Sequence, residues 1–196
     1  MGQSAGASSI VHHITAGGGR SFQPSFQKAV IQSPGFVPSP NATQDDETYK
    51  QFLNLTGAKD LESLFEADAS VLMKANADLT YKSSYGLFKF GPTVDGFYVP
   101  DLPSKLLKDG RFWRGTSLLV GHTKYDGLVF TPPWIRSNEQ LRQHVRTMYP
   151  GITESVLDEI DRRYPIEKWS FAKEKLIAVS DFLDVRNILL FDSCKL

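Results

Sequence analysis

The sequence predicts an α/β fold, and three observations predict it. Two short apolar runs, Ala29–Ile31 in "KAVIQS" and Leu118–Val120 in "GTSLLVGHT", have the length and flanking turn formers of buried strands. The segment "SAGASSIVHHITA" is rich in small residues and carries Ile10, Val11 and Ile14 on one face, as a helix lying close against a sheet requires. Amphipathic patterns then recur through the rest of the chain. Two strands among so many helices make an incomplete sheet, because buried strands want neighbours that this sequence does not supply.

From the N-terminus, the small-residue helix runs to "AGGGR", where Gly17 to Gly19 end it. The first strand follows in "KAVIQS", and "SPGFVPSPNAT" is loop, dense in Pro, Gly and Ser. Helical patterns cover "DETYKQFLNLT", "DLESLFEAD" and "SVLMKANAD". The run "FKFGPTVDGFYVPDLPSKLLKDG" reads as loop and turn, closing on a short helix that Gly110 stops. After the second strand come amphipathic helices near "NEQLRQHVRTMY", "TESVLDEIDRRY" and "SFAKEKLIAVSDFL". There is no internal repeat.

Composition narrows the function classes. The 196 residues suffice for one domain with a sizeable core, at 41% apolar and 22% charged residues. Basic and acidic residues balance at 22 each, so no global field recruits nucleic acid or an anionic membrane. No apolar run has the length of a spanning helix, and no signal-peptide pattern opens the chain. No metal-ligand spacing is present, and "AGGGR" lacks the Lys-Ser or Lys-Thr of a phosphate cradle, so no cofactor is expected. The single cysteine, Cys194, excludes an internal disulfide and points to a reducing compartment. Two sequons, at Asn41 and Asn54, point the other way, to a secreted glycoprotein. These features leave the compartment open.

Gly2-Gln3-Ser4-Ala5-Gly6 is a Gly-x-Ser-x-Gly motif placed directly before the small-residue helix. In a nucleophile elbow a strand turns sharply into a helix and lifts a serine hydroxyl above the sheet. The glycines let chain segments approach around the strained turn. The N–H after the serine, here Ala5, donates to an oxyanion. Alone, the pentapeptide is more often an ordinary glycine-containing turn; the small-residue helix that follows brings the two readings level, and only Met1 precedes the motif to serve as strand.

"GQSAGA", "FQKAVIQSPGF", "GPTVDGFYVPDLPSKLL" and "LLVGHTKYDG", in this order and spacing, resemble the type-B carboxylesterase family, the cholinesterase-like lipases and esterases, and fungal members most. The resemblance covers residues 1–185; the tail 186–196, "RNILLFDSCKL" from Arg186, diverges from it. It implies a partial α/β-hydrolase fold, from the nucleophile elbow onward, without the family's N-terminal strands or its last strands and helix. Met1 is then expected at the last position of the elbow strand. By motif, Ser4 is implied as nucleophile, Ala5 as oxyanion donor and Asp126 as the triad acid, where the family more often has a glutamate. Read without the resemblance, Asp126 is a solvated turn residue. Gln3 departs from the glutamate common before the serine, which removes a negative charge beside the site. Asp95, in "TVDG", is read as stabilising a bend.

The resemblance further implies a small-molecule carboxylic ester as substrate and an extracellular full-length protein. No cofactor, nucleic-acid partner or membrane span is implied. The family's triad histidine is the difficulty. His12 and His13 follow Ser4 by eight and nine residues, about 12 to 13 Å along a helix. His144 falls in a charged helical pattern and is expected at the surface, and His122 matches a strand tip. The expectation is a fragment of a serine hydrolase that is inactive as it stands. The alternative is a non-catalytic cholinesterase-like binding or adhesion module. Phe88, Phe90, Phe97, Tyr98 and Trp134 could line an apolar pocket or serve as plain core.

Overall fold

The structure, a computed structural model, describes residues 1–35, 42–123, 126, 129–130, 132–149 and 151–164. The helix expected over "SFAKEKLIAVSDFL", the tail 186–196 and the Asn41 sequon lie outside the described residues. Three parallel strands form one sheet in the order β1 (Gly2–Gln3), β2 (Lys28–Gln32), β3 (Ser117–Gly121). The sequence reading found the last two. The first is the elbow strand itself, which two residues complete by pairing Gly2 with Ile31 and Gln3 with Gln32. Gln3, and not Met1, therefore ends that strand. A run this short carries no periodicity to read.

Helix α1 (Ala5–Thr15) crosses from β1 to β2, and the glycines of the following 3₁₀ turn, Ala16–Gly19, end it through positive φ angles. Helices α2 (Ala42–Thr56), α3 (Leu61–Phe65), α4 (Ala69–Tyr81) and α5 (Pro103–Lys108) fill the long connection from β2 to β3. Asp60 caps α3 by accepting from the Ser63 N–H, while the Ser63 hydroxyl answers the Asp60 N–H.

The core explains which face of the sheet is covered. Ala29 pairs with Leu118 and Ile31 with Val120. Alternation places these four side chains on one face, where Ile31, Leu118 and Val120 meet Ala7, Val11 and Ile14 of α1, Leu107 of α5 and Phe112, and Ala29 is buried as well. Val30 and Leu119, paired in the same register, point to the other face. Leu119 is 66% exposed, so the expectation of a fully buried Leu118–Val120 run is corrected. The reason is that only one face of this sheet is packed by the described residues.

A second small core forms where α6 (Asn138–Met148) and α7 (Glu154–Arg163) bury Leu141, Val145 and Leu157 with Ile135. Arg142 braces this pair of helices by donating to Asp158 at 2.5 Å and Asp161 at 2.7 Å. These carboxylates hold its guanidinium proton more tightly than usual.

Candidate active site

Ser4 sits between β1 and α1 with φ 51° and ψ −121°, a backbone region that a side-chain-bearing residue enters only under strain. Its N–H donates to the Gln32 carbonyl at 3.0 Å, which ties the turn to the end of β2. Its carbonyl accepts the first helical bond, from Ser8 at 3.0 Å. The Ser4 hydroxyl makes no capping bond to the helix, although serine at this position ordinarily does. Among the described residues, the turn thus leaves the oxygen uncommitted at the positive end of α1. The N–H of Ala5 belongs to the first helical turn, whose donors have no acceptor within the helix.

The two glycines of the motif differ. A Cβ on Gly2 would lie 2.4 Å from both the carbonyl carbon and oxygen of Gly6, and 2.8 Å from the Ala7 nitrogen. A Cβ on Gly6 meets nothing within 4 Å among the described residues. Close approach therefore demands glycine at the first position only. Gly35, on the loop after β2, passes beside Ser4: a Cβ there would lie 3.9 Å from Ser4 Oγ. The sequence reading missed this neighbour, which "SPGF" hid among loop residues.

Asp126 follows the C-terminal end of β3 and Ser4 that of β1, the same end of the three parallel strands, with β2 between them. Its Oδ1 accepts from the Thr123 hydroxyl. Its Oδ2 is buried and has no hydrogen-bond partner among the described residues. A buried carboxylate oxygen left in that condition is costly, and it offers an acceptor for one further donor. The spacing Thr123-x-x-Asp126 was the available sequence signal for the first partner.

All four histidines are described, and no histidine is hydrogen-bonded to Ser4 or Asp126 among the described residues. His13 Nδ1 and the Tyr98 hydroxyl are 2.7 Å apart, so His13 is engaged at the far end of α1. These two line a cavity of 430 Å³ with Phe22, Gln23 and Phe26. His122 is exposed, and its Nδ1–H donates to the Thr123 carbonyl at 2.8 Å. His144, expected at the surface, is half-buried, because α6 turns its neighbour Val145 into the second core. Phe88, Phe90, Phe97 and Trp134 are exposed and Tyr98 is half-buried. Asp95 does stabilise a bend, its Oδ1 accepting from the Phe97 and Val99 N–H groups at 2.8 Å.

Burial, and then the neighbouring His13, push the His12 imidazole below its usual pKa; burial alone does so for His144. In the unfolded chain each takes up a proton near pH ~6.5, before its folded counterpart does. Stability is therefore complete above that pH and falls as the pH drops from it through the lower folded values. Urea midpoints should fall between pH 7.5 and pH 5.5, and His12→Asn should flatten that slope. An unchanged slope would refute the assignment.

The family model described as "Carboxylesterase family" matches residues 1–175. The chain belongs to the carboxylesterase family. This carboxylesterase-family chain is 31% identical over 157 residues to the carboxylesterase patB of Penicillium expansum, covering 80% of this chain and 28% of that protein. It is 29% identical over 185 residues to lipase 2 of Geotrichum candidum, covering 84% and 32% of the two. Among solved structures, EstA of Aspergillus niger superposes with a TM-score of 0.71 at 28% identity, covering 84% of this chain and 33% of that one. These neighbours are α/β-hydrolase esterases, which makes the three strands and their helices part of that fold. The carboxylesterase-family chain spans about a third of the length of the proteins it matches.

Proposed function

We propose that this chain carries the nucleophile and the acid of a serine carboxylic-ester hydrolase. Ser4 Oγ attacks the ester carbonyl, and the N–H of Ala5 receives the negative charge that develops on the carbonyl oxygen. The alcohol departs with the proton taken from Ser4, and water then hydrolyses the acyl-serine. Asp126 orients the base between them and stabilises its protonated form through Oδ2. The observation that carries this reading is the strained Ser4 turn, with its hydroxyl left uncommitted at the head of α1. The Asp126 oxygen that has no partner among the described residues, after the C-terminal end of the parallel strand β3, supports it. A binding module would have no use for that strain, which disfavours the non-catalytic alternative.

The base is none of His12, His13, His122 or His144. The 196-residue chain by itself therefore turns over negligibly, since loss of a triad histidine costs about 10⁶-fold. The substrate is a small carboxylic ester. An extracellular setting for the full-length protein is in keeping with a relative described as a secreted lipase in Arthroderma benhamiae.

Exogenous imidazole tests the reading, because it can occupy the position of the absent base. A fluorophosphonate should label Ser4 slowly in the chain alone and at least tenfold faster with imidazole, reaching a plateau with imidazole concentration. Ser4→Ala should abolish labelling, and Asp126→Asn should remove most of the imidazole-dependent part, all read by mass spectrometry of the labelled peptide. Rapid labelling without imidazole would show that one of the four histidines is the base after all. Labelling indifferent to imidazole and to Asp126 would refute the proposed pair.

A further inference from the structure

The segment after α4 meets the chain just past Asp126 in four ways. The Tyr85 hydroxyl donates to the Val129 carbonyl at 3.1 Å. The Tyr85 ring packs edge-on against Trp134 with centroids 5.3 Å apart. Phe88 packs against Phe130 at 6.0 Å. Gly86, at φ 78°, approaches so closely that a Cβ would lie 2.2 Å from the Phe130 carbonyl oxygen. The two stretches are 44 residues apart in sequence, so these contacts are tertiary and not local. They grip the chain three residues after the acid, and the Thr123 hydroxyl holds the carboxylate itself from the other side.

We propose that Tyr85 and Gly86 form a clamp that positions Asp126, acting through the backbone of Val129 and Phe130. Tyr85 and Gly86 touch no reacting atom in this proposal; both are positioning residues. The physical reason is economy of constraint. A carboxylate whose second oxygen must meet an incoming imidazole needs its loop fixed to within a fraction of an ångström. The hydroxyl of Tyr85 sets the height of the Val129 carbonyl, and the missing side chain of Gly86 lets the two backbones close. Any larger residue at position 86 would drive the Phe130 carbonyl outward, and would also be strained at that φ.

The clamp rests on Asp126 as the acid, and imidazole-assisted labelling of Ser4 in the full chain separates the two ideas. Tyr85→Phe removes one hydrogen bond and keeps the ring. It should lower the imidazole-dependent rate three- to tenfold and leave the imidazole-independent rate unchanged. Gly86→Ala should lower the same component more. In an Asp126→Asn background neither substitution should have a further effect, which is the signature that both act through the acid. A purely structural role would instead lower both components together and persist in that background. Asp126-dependent rescue in the wild type with unaltered rescue in both variants would overturn the clamp and leave the function standing. Rescue that never depends on Asp126 would overturn the proposed function, and the positioning role with it.

Discussion

Gly2→Val is expected to destabilise the chain by about 3 kcal/mol or more and to end labelling of Ser4. The added Cβ would fall 2.4 Å from the Gly6 carbonyl and 2.8 Å from the Ala7 nitrogen. Those atoms are backbone in the first turn of α1, so no rotamer change relieves the contact. Either α1 unwinds at its head or β1 leaves the sheet, and in both cases the Ser4 turn is lost. Gly6→Ala is the control. Its Cβ meets nothing within 4 Å among the described residues, and alanine is favoured over glycine inside a helix by about 0.5–1 kcal/mol. Urea midpoints of the two variants should therefore move in opposite directions. Equal losses would mean that the motif's glycines serve one shared purpose and that the contact geometry is wrong.

Ile31→Ala should cost 2–5 kcal/mol, roughly the range for truncating a fully buried aliphatic side chain. Ile31 is 0% exposed in β2, against Ala7, Val11 and Ile14. It also stands in register with Gly2 on one side and Val120 on the other, so a cavity there loosens both strand pairs. Typical domains have only ~5–15 kcal/mol in total, and the described residues pack a single face of this sheet. The variant should show a markedly lower melting temperature with its Ser4 labelling lost in proportion. Leu119→Ala, in the same sheet but 66% exposed, should change stability by less than about 0.5 kcal/mol. A comparable loss at both positions would show that the uncovered face is packed in solution.

Much of the fold was legible because hydrophobic periodicity survives in short stretches. β2, β3, α5, α6 and α7 fall where their apolar patterns place them. Two features were not legible, for different reasons. β1 is two residues long, and its strand character comes wholly from pairing with β2. Which face of β3 is covered depends on partners distant in sequence, so a continuous Leu-Leu-Val run concealed an alternation. At the proposed site, the strained Ser4 turn was legible because a Gly-x-Ser-x-Gly elbow compresses its backbone requirements into five residues. The role proposed for Asp126 comes only through resemblance, since a lone aspartate in "KYDG" has no local signature. Thr123 was signalled only by its i, i+3 spacing to Asp126, whereas Gly35 and the Tyr85 contacts were invisible because nothing in composition signals a tertiary neighbour.

The torsion angles of Ser4 also bear on what the sequence could become. A residue held at φ 51° and ψ −121° stores about 1–3 kcal/mol, a sum that glycine would mostly return to the fold. If the proposed chemistry is what this turn serves, the hydroxyl is housed at a cost in stability. Were selection for that proposed chemistry ever lifted, drift toward glycine at position 4 would be downhill, and the first loss would be the serine oxygen and not the scaffold around it.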